Sequence, residues 1–314
     1  MKTYLAIDFG GTRSRAALFD DDLRMLRRAE TSSKVEEGMG PGLKRLIDLG
    51  KSLLEPDAKP ASIGIAAPGP LDAENGIIIR ACTLPGWSDV PLATTISGAF
   101  GNVPTFLQND ANLGALAEYH LGAGQGADPM IYLTISTGLG GGAIINGGLF
   151  TGWRSHAIEP GHMRFSLPDG SHRRWEELVS GTALGDWARH RLRSSDSVSS
   201  LRGLPHVDGS VVGAAALAGD ALALEVAAQA GRWLGLGLIN LLHLFNPAAL
   251  VIGGSASKLG DLLLDPARAI IREHILHADF YYDGLIRPAA FAEDMCLIGA
   301  ALHAKLQLGG GASR

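Results

Sequence analysis

Short apolar runs that end at glycine turns recur along the chain. One run, Tyr4-Leu5-Ala6-Ile7, leads into the turn at residues 8–12, and another, at 131–135, leads into the turn at 136–142. Each turn is followed by a second apolar run. This order predicts a strand, a tight turn and a returning strand. Because the unit occurs once in each half of the chain, the pattern predicts two related domains that share one ligand.

The remaining periodicity predicts elements typical of an α/β protein. Apolar runs between turn residues predict strands, and apolar positions three and four apart predict helices. The predicted strands cover 24–31, 62–66, 103–107 and 247–252, and the predicted helices cover 42–54, 111–121, 175–191, 221–245, 259–275 and 296–306. We expect the stretch 146–174 to be rich in loops, and residues 194–210 to form an exposed loop.

Composition argues against several classes of protein. The 314 residues suffice for two domains, and 46% hydrophobic with 19% charged residues is typical of a globular protein. A net charge of −5 provides no basic surface for nucleic acid. Cys82 and Cys296 form no disulfide framework, and no signal peptide precedes the first strand, so we expect a cytoplasmic protein. The apolar stretch 232–245 is too short to span a membrane, so no membrane partner is expected.

The two glycine turns are candidate phosphate-binding sites. Glycine permits a positive φ and lets bare N–H groups approach a ligand, and successive N–H groups can form a nest for phosphate oxygens. Asp8 is placed to hold Mg²⁺, usually through water, while Thr12 and Arg13 add a hydroxyl donor and a positive charge. A tight hairpin with a solvated Asp8 explains the first turn equally well. The presence of two such turns favours phosphate binding.

Polar residues beside predicted strands are candidates for catalysis. Asp110 follows a predicted buried strand and can accept a proton from a substrate hydroxyl. Asn109-Asp110 also suits the N-cap of a helix, and the local pattern alone favours the cap over the catalytic role. Glu159 and His162 can hydrogen-bond neighbouring sugar hydroxyls, or can simply belong to an exposed loop.

Two further features stand at predicted helix starts. Glu176 is an acid in a first helical turn, where the helix dipole favours it. Gly253-Gly254 ends a strand and provides a bare backbone for a nucleotide.

Three histidines, His156, His162 and His172, could be zinc ligands. No cysteine lies near them, which disfavours a zinc site.

Taken in order along the chain, these pieces resemble the ROK family of sugar kinases and repressors, within the actin-like ATPase superfamily. The matching stretches are AIDFGGTRSRAALFD, APGPLD, LPGW, QNDANLGALAE, LTISTGLGGGAIINGGL, IEPGHM, SGTALG and NPAALVIGGSAS. They span nearly the whole chain. The resemblance implies an α/β fold of two RNase H-like domains with ATP and a sugar in the interdomain cleft. It implies a small domain of residues 1–111 plus 297–314 and a large domain of residues 112–296.

The resemblance also implies a role for each candidate residue. Asp110 falls on the catalytic aspartate, which accepts the proton of a sugar hydroxyl, in the first instance the 6-OH of glucose, as that oxygen attacks MgATP. The residues implied in sugar binding are Asn109, Glu159, His162, Glu176 and Thr83. The residues implied in ATP and phosphate binding are Asp8, Gly10, Gly11, Thr12, Arg13, Thr137, Gly138, Gly140, Gly253 and Gly254, with Asp8 also the Mg²⁺ carboxylate.

The chain departs from the family pattern at two important places. Many members carry a zinc motif, Cys-x-Cys-Gly-x-x-Gly-Cys, shortly after the Gly-His pair, whereas residues 167–174 here read LPDGSHRR. We therefore expect no structural zinc, and His162 must be held by other means. Thr83 stands where family members often have a sugar-contacting Asn, and its shorter side chain leaves the choice of hexose open.

Alternative functions stay open at this point. A kinase of the family could act on N-acetylglucosamine, N-acetylmannosamine, fructose or allose. A sugar-responsive repressor would carry a helix-turn-helix before the first strand, which is not expected here. A non-catalytic actin-like ATPase would share the nucleotide turns but would not need Asp110 together with Glu159, His162 and Glu176. Family members are often dimers or tetramers, so a homo-oligomer is expected.

Overall fold

The computed structural model describes residues 2–81 and 84–310. Its strands are β1 (Tyr4–Phe9), β2 (Arg13–Phe19), β3 (Met25–Ser32), β4 (Ser62–Ala67), β5 (Leu71–Asp72), β6 (Ile77–Arg80), β7 (Ser88–Val90), β8 (Thr105–Asn109), β9 (Met130–Ile135), β10 (Leu139–Ile145), β11 (Gly148–Leu149), β12 (Arg164–Ser166), β13 (His172–Arg174), β14 (Ala249–Gly253) and β15 (Ile286–Pro288). Its helices are α1 (Met39–Lys51), α2 (Leu92–Ala99), α3 (Asp110–Leu121), α4 (Glu176–Val179), α5 (Gly181–Ser194), α6 (Gly209–Leu217), α7 (Ala221–Phe245), α8 (Asp261–His274) and α9 (Met295–Leu308).

The two large sheets share one topology. The first has the strand order β3-β2-β1-β4-β8, and the second has the order β11-β10-β9-β14-β15. In each sheet the central strand is antiparallel to its hairpin partner and parallel to the strand on its other side. Every residue of β1 and β4 is buried, which explains their continuous apolar runs. The repeated order confirms the predicted α/β fold with two RNase H-like halves.

Helices α3 and α9 lie between the two sheets. α3 starts where β8 of the first sheet ends, and it packs on β9 and β10 of the second. α9 packs on α3 and on β1 and β4 of the first sheet. Residues 111–118 of α3 are buried without interruption, as expected for a helix covered on all sides. The chain crosses between the sheets before β9 and again before α9.

The structure corrects several of the predicted elements. The helix predicted at 175–191 is broken at Ser180, whose extended backbone and Oγ, accepting from the N–H of Ala183 at 3.2 Å, make it the N-cap of α5. The stretch 194–210 is not a wholly exposed loop, because Leu201 and Val207 are buried and α6 already begins at Gly209. The small sheet β5-β6-β7 and helix α2 were not predicted. The two glycine-turn hairpins are confirmed as β1-β2 and β9-β10.

Candidate active site

Asp8 lies at the end of β1, at the edge of the first sheet where the parallel strands β1, β4 and β8 all end. Its side chain is almost fully buried and is paired with Arg15. Arg15 donates to Asp8 Oδ2 from Nε at 2.9 Å and from Nη2. Both hydrogen bonds go to the same oxygen, so Arg15 does not engage Oδ1. A carboxylate oxygen at this position suits a hard cation such as Mg²⁺.

Asn109 and Asp110 occupy the junction of β8 and α3, two strands away from Asp8. The Asn109 side chain caps α3, because its Oδ1 accepts from the N–H groups of Ala111 at 2.9 Å and Asn112 at 3.3 Å. Asp110 Oδ1 accepts from the N–H of Ala111 at 2.7 Å. The cap therefore belongs to Asn109, and the half-buried Asp110 carboxylate lies beside it at the start of α3.

The pKa values of the site's carboxyl groups are raised by burial and by neighbouring acids. Burial, together with the charges of Asp8 and Glu159, raises the pKa of Asp110 to about 6. Burial also raises the pKa of Asp8, against the opposing effect of Arg15. Because such charge effects act over short distances, Asp8 of the first sheet and Glu159, in the segment between β11 and β12, both lie in the neighbourhood of Asp110. Perturbed acids that converge in a cleft are typical of a catalytic site.

Glu159, His162 and Glu176 form a second group of polar side chains. Burial raises the pKa of Glu159, His162 opposes that rise and Glu176 adds to it, so these three side chains lie near one another. The Glu176 carboxylate is oriented by Arg174, whose Nη1 lies 2.6 Å from Glu176 Oε1. The structure thus brings together the acids and the histidine that the sequence suggested for sugar binding.

The glycines of the second turn are required for close packing rather than for unusual backbone angles. None of Gly138 and Gly140–Gly142 has a positive φ, which removes one of the two reasons expected for their presence. A Cβ on Gly141 would lie 2.8 Å from Cγ of Pro160, and one on Gly142 would lie 2.9 Å from the carbonyl oxygen of Ala111. The turn therefore fits tightly between the Glu159–His162 loop and the start of α3.

A cavity of about 630 Å³ adjoins the second turn. Its polar lining includes Thr137 and Ser255, and its apolar lining includes Leu217 and Leu259. The start of α5 is tied to the turn, because the N–H of Gly181 donates to the Ser136 carbonyl at 2.7 Å and Thr182 Oγ1 donates to that of Thr137 at 2.7 Å. A helix N-terminus and a hydroxyl beside an apolar wall suit the phosphates and base of a nucleotide.

The other predicted nucleotide residues fall at the borders of this region. Gly254 has φ +87° and backs onto the carbonyl of Ile135, and Gly253 is buried at the end of β14. Gly10, Gly11 and Thr12 form the turn between β1 and β2. Arg13 is exposed, and its Nη1 lies 3.8 Å from Glu30 Oε1. Thr83 lies outside the described residues.

Arg15 is the site residue that sequence reasoning missed. Strand register could have found it, since Asp8 and Arg15 are directly opposed in the antiparallel hairpin. Counting outward from the turn at residues 10–12 pairs Phe9 with Ser14 and then Asp8 with Arg15. An acid and an arginine at opposed strand positions predict an ion pair.

The described residues, 2–81 and 84–310, contain no group of three or more His, Cys, Asp and Glu side chains arranged to hold a metal. His156, His162 and His172 therefore do not form such a group in this part of the chain. Over the same ranges, no single helix is both long and apolar enough to cross a membrane. One pair of helices, α6 and α7, is long and apolar enough when taken together, but the pair is bent by 112°.

Comparisons with known proteins agree with the fold. The sequence profile that describes the ROK family matches residues 4–307. The glucokinase of Thermotoga maritima is 30% identical over 315 residues, which cover 98% of both chains. A ROK family glucokinase from Streptomyces griseus, solved in complex with glucose and AMPPNP, has a TM-score of 0.81 and 31% identity, covering 96% of this chain and 99% of that one. A ROK family transcriptional regulator, a homolog of the Escherichia coli MLC protein, has a TM-score of 0.85 and 26% identity, covering 98% of this chain and 79% of that one.

Proposed function

The chain belongs to the ROK family, and from that premise we propose that it is an ATP-dependent hexose kinase that phosphorylates the 6-OH of glucose. The observation that carries the proposal is that burial and the nearby charges of Asp8 and Glu159 raise the pKa of Asp110 to about 6 at the start of α3. A regulator would have no need for a carboxylate whose pKa is raised into the range where proton transfer is efficient. The glucokinases of Thermotoga maritima and Streptomyces griseus, similar over nearly their whole lengths, support the same choice.

The proposed mechanism assigns proton transfer to Asp110. Asn109, Glu159, His162 and Glu176 bind the hydroxyls of the sugar and orient the one that reacts. Asp110 accepts the proton of that hydroxyl as its oxygen attacks the γ-phosphorus of ATP, and ADP leaves. In phosphoryl transfer the protein contributes mainly by holding the two reactants in line and by stabilising the charge of the transferring group. Closure of the two walls on the sugar would exclude water as a competing acceptor.

We propose that ATP occupies the 630 Å³ cavity, with its phosphates towards Thr137 and the turn that contains Asp8, Gly10, Gly11 and Thr12. Gly138 and Gly140 belong to the same phosphate side, and Gly253 and Gly254 to the nucleoside side. Asp8 would hold Mg²⁺, for which its buried carboxylate oxygen is a suitable ligand. When bound, the ion neutralises part of the phosphate charge. Arg13, exposed at the start of β2, would add a positive charge near the phosphates.

The experiment that tests the proposal is an ADP-release assay over a panel of sugars. The panel contains glucose, mannose, fructose, N-acetylglucosamine, N-acetylmannosamine and allose, each with MgATP. We expect glucose to give the highest kcat/KM. A higher kcat/KM for another sugar would overturn glucose as the substrate but would support the kinase reaction. No turnover of any sugar would refute the proposal that the protein is a sugar kinase. Thr83→Asn, which restores the amide common in the family, tests whether this position sets the preference.

A sugar-responsive regulator is the second candidate, because the regulator structure superposes with a TM-score of 0.85. It predicts sugar binding without ADP release.

Within the kinase proposal, residues 1–111 with 297–314 form the small domain and residues 112–296 the large one. The packing of α9 on β1 and β4 supports this division. We also propose that the protein is a cytoplasmic homo-oligomer that does not bind nucleic acid, consistent with its net charge of −5. Size measurement by light scattering tests the oligomer.

A further inference from the structure

Trp175 connects the two sugar-binding segments of the cleft wall. It directly precedes Glu176, and it is fully buried. Its backbone N–H donates to the carbonyl of Met163 at 2.8 Å, and Met163 directly follows His162. One hydrogen bond thus joins the neighbour of Glu176 to the neighbour of His162. A displacement of the Trp175 backbone can therefore be transmitted to both segments.

The indole of Trp175 is held by α7. Its Nε1–H donates to the carbonyl of Trp233 at 2.9 Å, and the ring lies so close to Gly237 that a Cβ there would overlap it. Phe165, on β12, stands with its ring centroid 6.2 Å from Trp175 and 6.0 Å from Trp233, edge-on to the latter. These three rings, Phe165, Trp175 and Trp233, are called the aromatic cluster below. The cluster packs the β12-β13 hairpin onto the long helix.

The hairpin needs such an anchor. Each of its strands has three residues, and an isolated two-stranded hairpin of this length is not stable in water. Many members of the family hold the corresponding loop with a zinc motif, but residues 167–174 contain no cysteine. Within the described residues, the histidines of this region form no cage for a metal. The side chains of this region therefore do not fit zinc. The aromatic cluster instead attaches the β12-β13 hairpin to α7.

We propose that Trp175 is a positioning residue, which sets the spacing of His162 and Glu176 through the aromatic cluster in place of zinc. This inference rests on the proposed sugar kinase function. It requires that a looser cluster weakens the binding of sugar and leaves the binding of ATP unchanged, since ATP is assigned to the cavity beside Thr137. A purely structural role for Trp175 would instead lower stability without separating the two substrates.

Phe165→Ala is the variant that tests the inference, because Phe165 is only half-buried and its loss spares the fully buried indole. We expect the KM for glucose to rise about tenfold or more, since a misplacement of about 1 Å can cost about 100-fold in rate. The KM for ATP should stay within about twofold, a change too small to reflect a lost contact. Trp175→Phe, which loses the Nε1–H donor and leaves a void at a fully buried position, should raise the KM for glucose at least as much as Phe165→Ala. Phe106→Ala is the matched control, because Phe106 is also half-buried but packs against His303, outside the cluster.

Hydrogen exchange of residues 159–176 provides a readout that needs no sugar. Exchange should become faster in Phe165→Ala and stay at the wild-type rate in Phe106→Ala. Unchanged exchange would show that the cluster does not hold the hairpin. Faster exchange with an unchanged KM for glucose would show that it holds the hairpin but does not position the site. If the wild type phosphorylates no sugar, the proposed function fails, and exchange still decides whether the cluster anchors the hairpin.

Discussion

Asp8 and Arg15 face each other across the first hairpin, and the guanidinium of Arg15 donates twice to one oxygen of the Asp8 carboxylate. The remaining nitrogen, Nη1, donates to the carbonyl of Glu293, in the segment that crosses from β15 to α9. Arg28 binds the neighbouring Asp294 at 2.9 Å. Arg15 therefore ties the proposed Mg²⁺ carboxylate to one of the two connections between the sheets.

Arg15→Gln should lower the free energy of unfolding by about 3 kcal/mol, because removing one partner of a buried ion pair leaves an uncompensated charge. The side chains of Arg15 and Asp8 are only 13% and 11% exposed. Arg28→Gln is the control, since its pair with Asp294 is more exposed and should contribute under about 1 kcal/mol. Urea unfolding at pH 7 measures both variants. Equal losses would show that burial gives the Asp8–Arg15 pair no special weight.

The sheets could be predicted because hydrophobic pattern and turn chemistry are local. Strand runs such as Ser62–Ala67 are apolar and end at turn residues, so they are visible in the sequence. The break at Ser180 was missed because both sides of it are helical and only a cap hydrogen bond separates them. Helix α6 was missed because the preceding residues are rich in Ser and charge, and because its apolar residues are buried against α5 and α7, distant contacts that a local pattern does not show.

The candidate site residues other than Arg15 were visible in the sequence, but the packing around them was only partly visible. Acids at strand ends, such as Asp8 and Asp110, are predicted by the rule that parallel strands present their carboxyl ends at one edge. The glycines at 140–142 were attributed to turn conformation and phosphate contact, although packing against Pro160 and α3 also requires them. That packing joins segments far apart in the chain, and a single sequence does not show such contacts.

The pH dependence of the reaction should follow the ionisation of Asp110. The residue must be ionised to accept a proton, and its pKa is raised to about 6. Activity should therefore be complete well above this value and be lost as pH falls through about 6, with a limiting slope of one proton. A plot of log kcat/KM for glucose against pH measures this. An activity that stays flat down to a pH near the ordinary pKa of an aspartate, about 3.9, would contradict the role assigned to Asp110.

Asp110→Asn should abolish phosphoryl transfer while keeping sugar binding. The expected loss of kcat is about 10²–10⁴-fold, the usual contribution of a general base. The variant should also melt at a higher temperature than the wild type at neutral pH. The raised pKa means that ionised Asp110 destabilises the folded state above about 6, and an amide removes that charge. ADP release, glucose calorimetry and thermal melts check the three outcomes, and retention of most activity would refute the assignment.

Removal of zinc should leave the protein unchanged. If the aromatic cluster anchors the loop, 1,10-phenanthroline should change neither the KM for glucose nor the melting temperature. Elemental analysis of the purified protein should find far less than one zinc per chain. One zinc per chain, with a loss of sugar binding when it is removed, would contradict the inference that a loop without cysteine binds no zinc.

Gly141→Ala and Gly142→Ala separate the two explanations for the second glycine turn. The new methyl of Gly141→Ala would meet Pro160 and displace the loop that carries Glu159 and His162, so the KM for glucose should rise. That of Gly142→Ala would meet the backbone of Ala111 and displace the start of α3, so kcat should fall through Asp110. Gly98→Ala is the control, because a Cβ there meets nothing within 4 Å.

Steady-state kinetics in both substrates distinguishes the outcomes. If the glycines serve packing, the two variants differ from each other and the KM for ATP changes little in either. If their main role is to expose N–H groups to phosphate, both variants raise the KM for ATP and affect glucose equally. The packing explanation is favoured because the turn reaches its conformation without a positive φ at any of these positions. The separation of effects between glucose and kcat would therefore show that the second turn positions the sugar wall and the base as well as the phosphates.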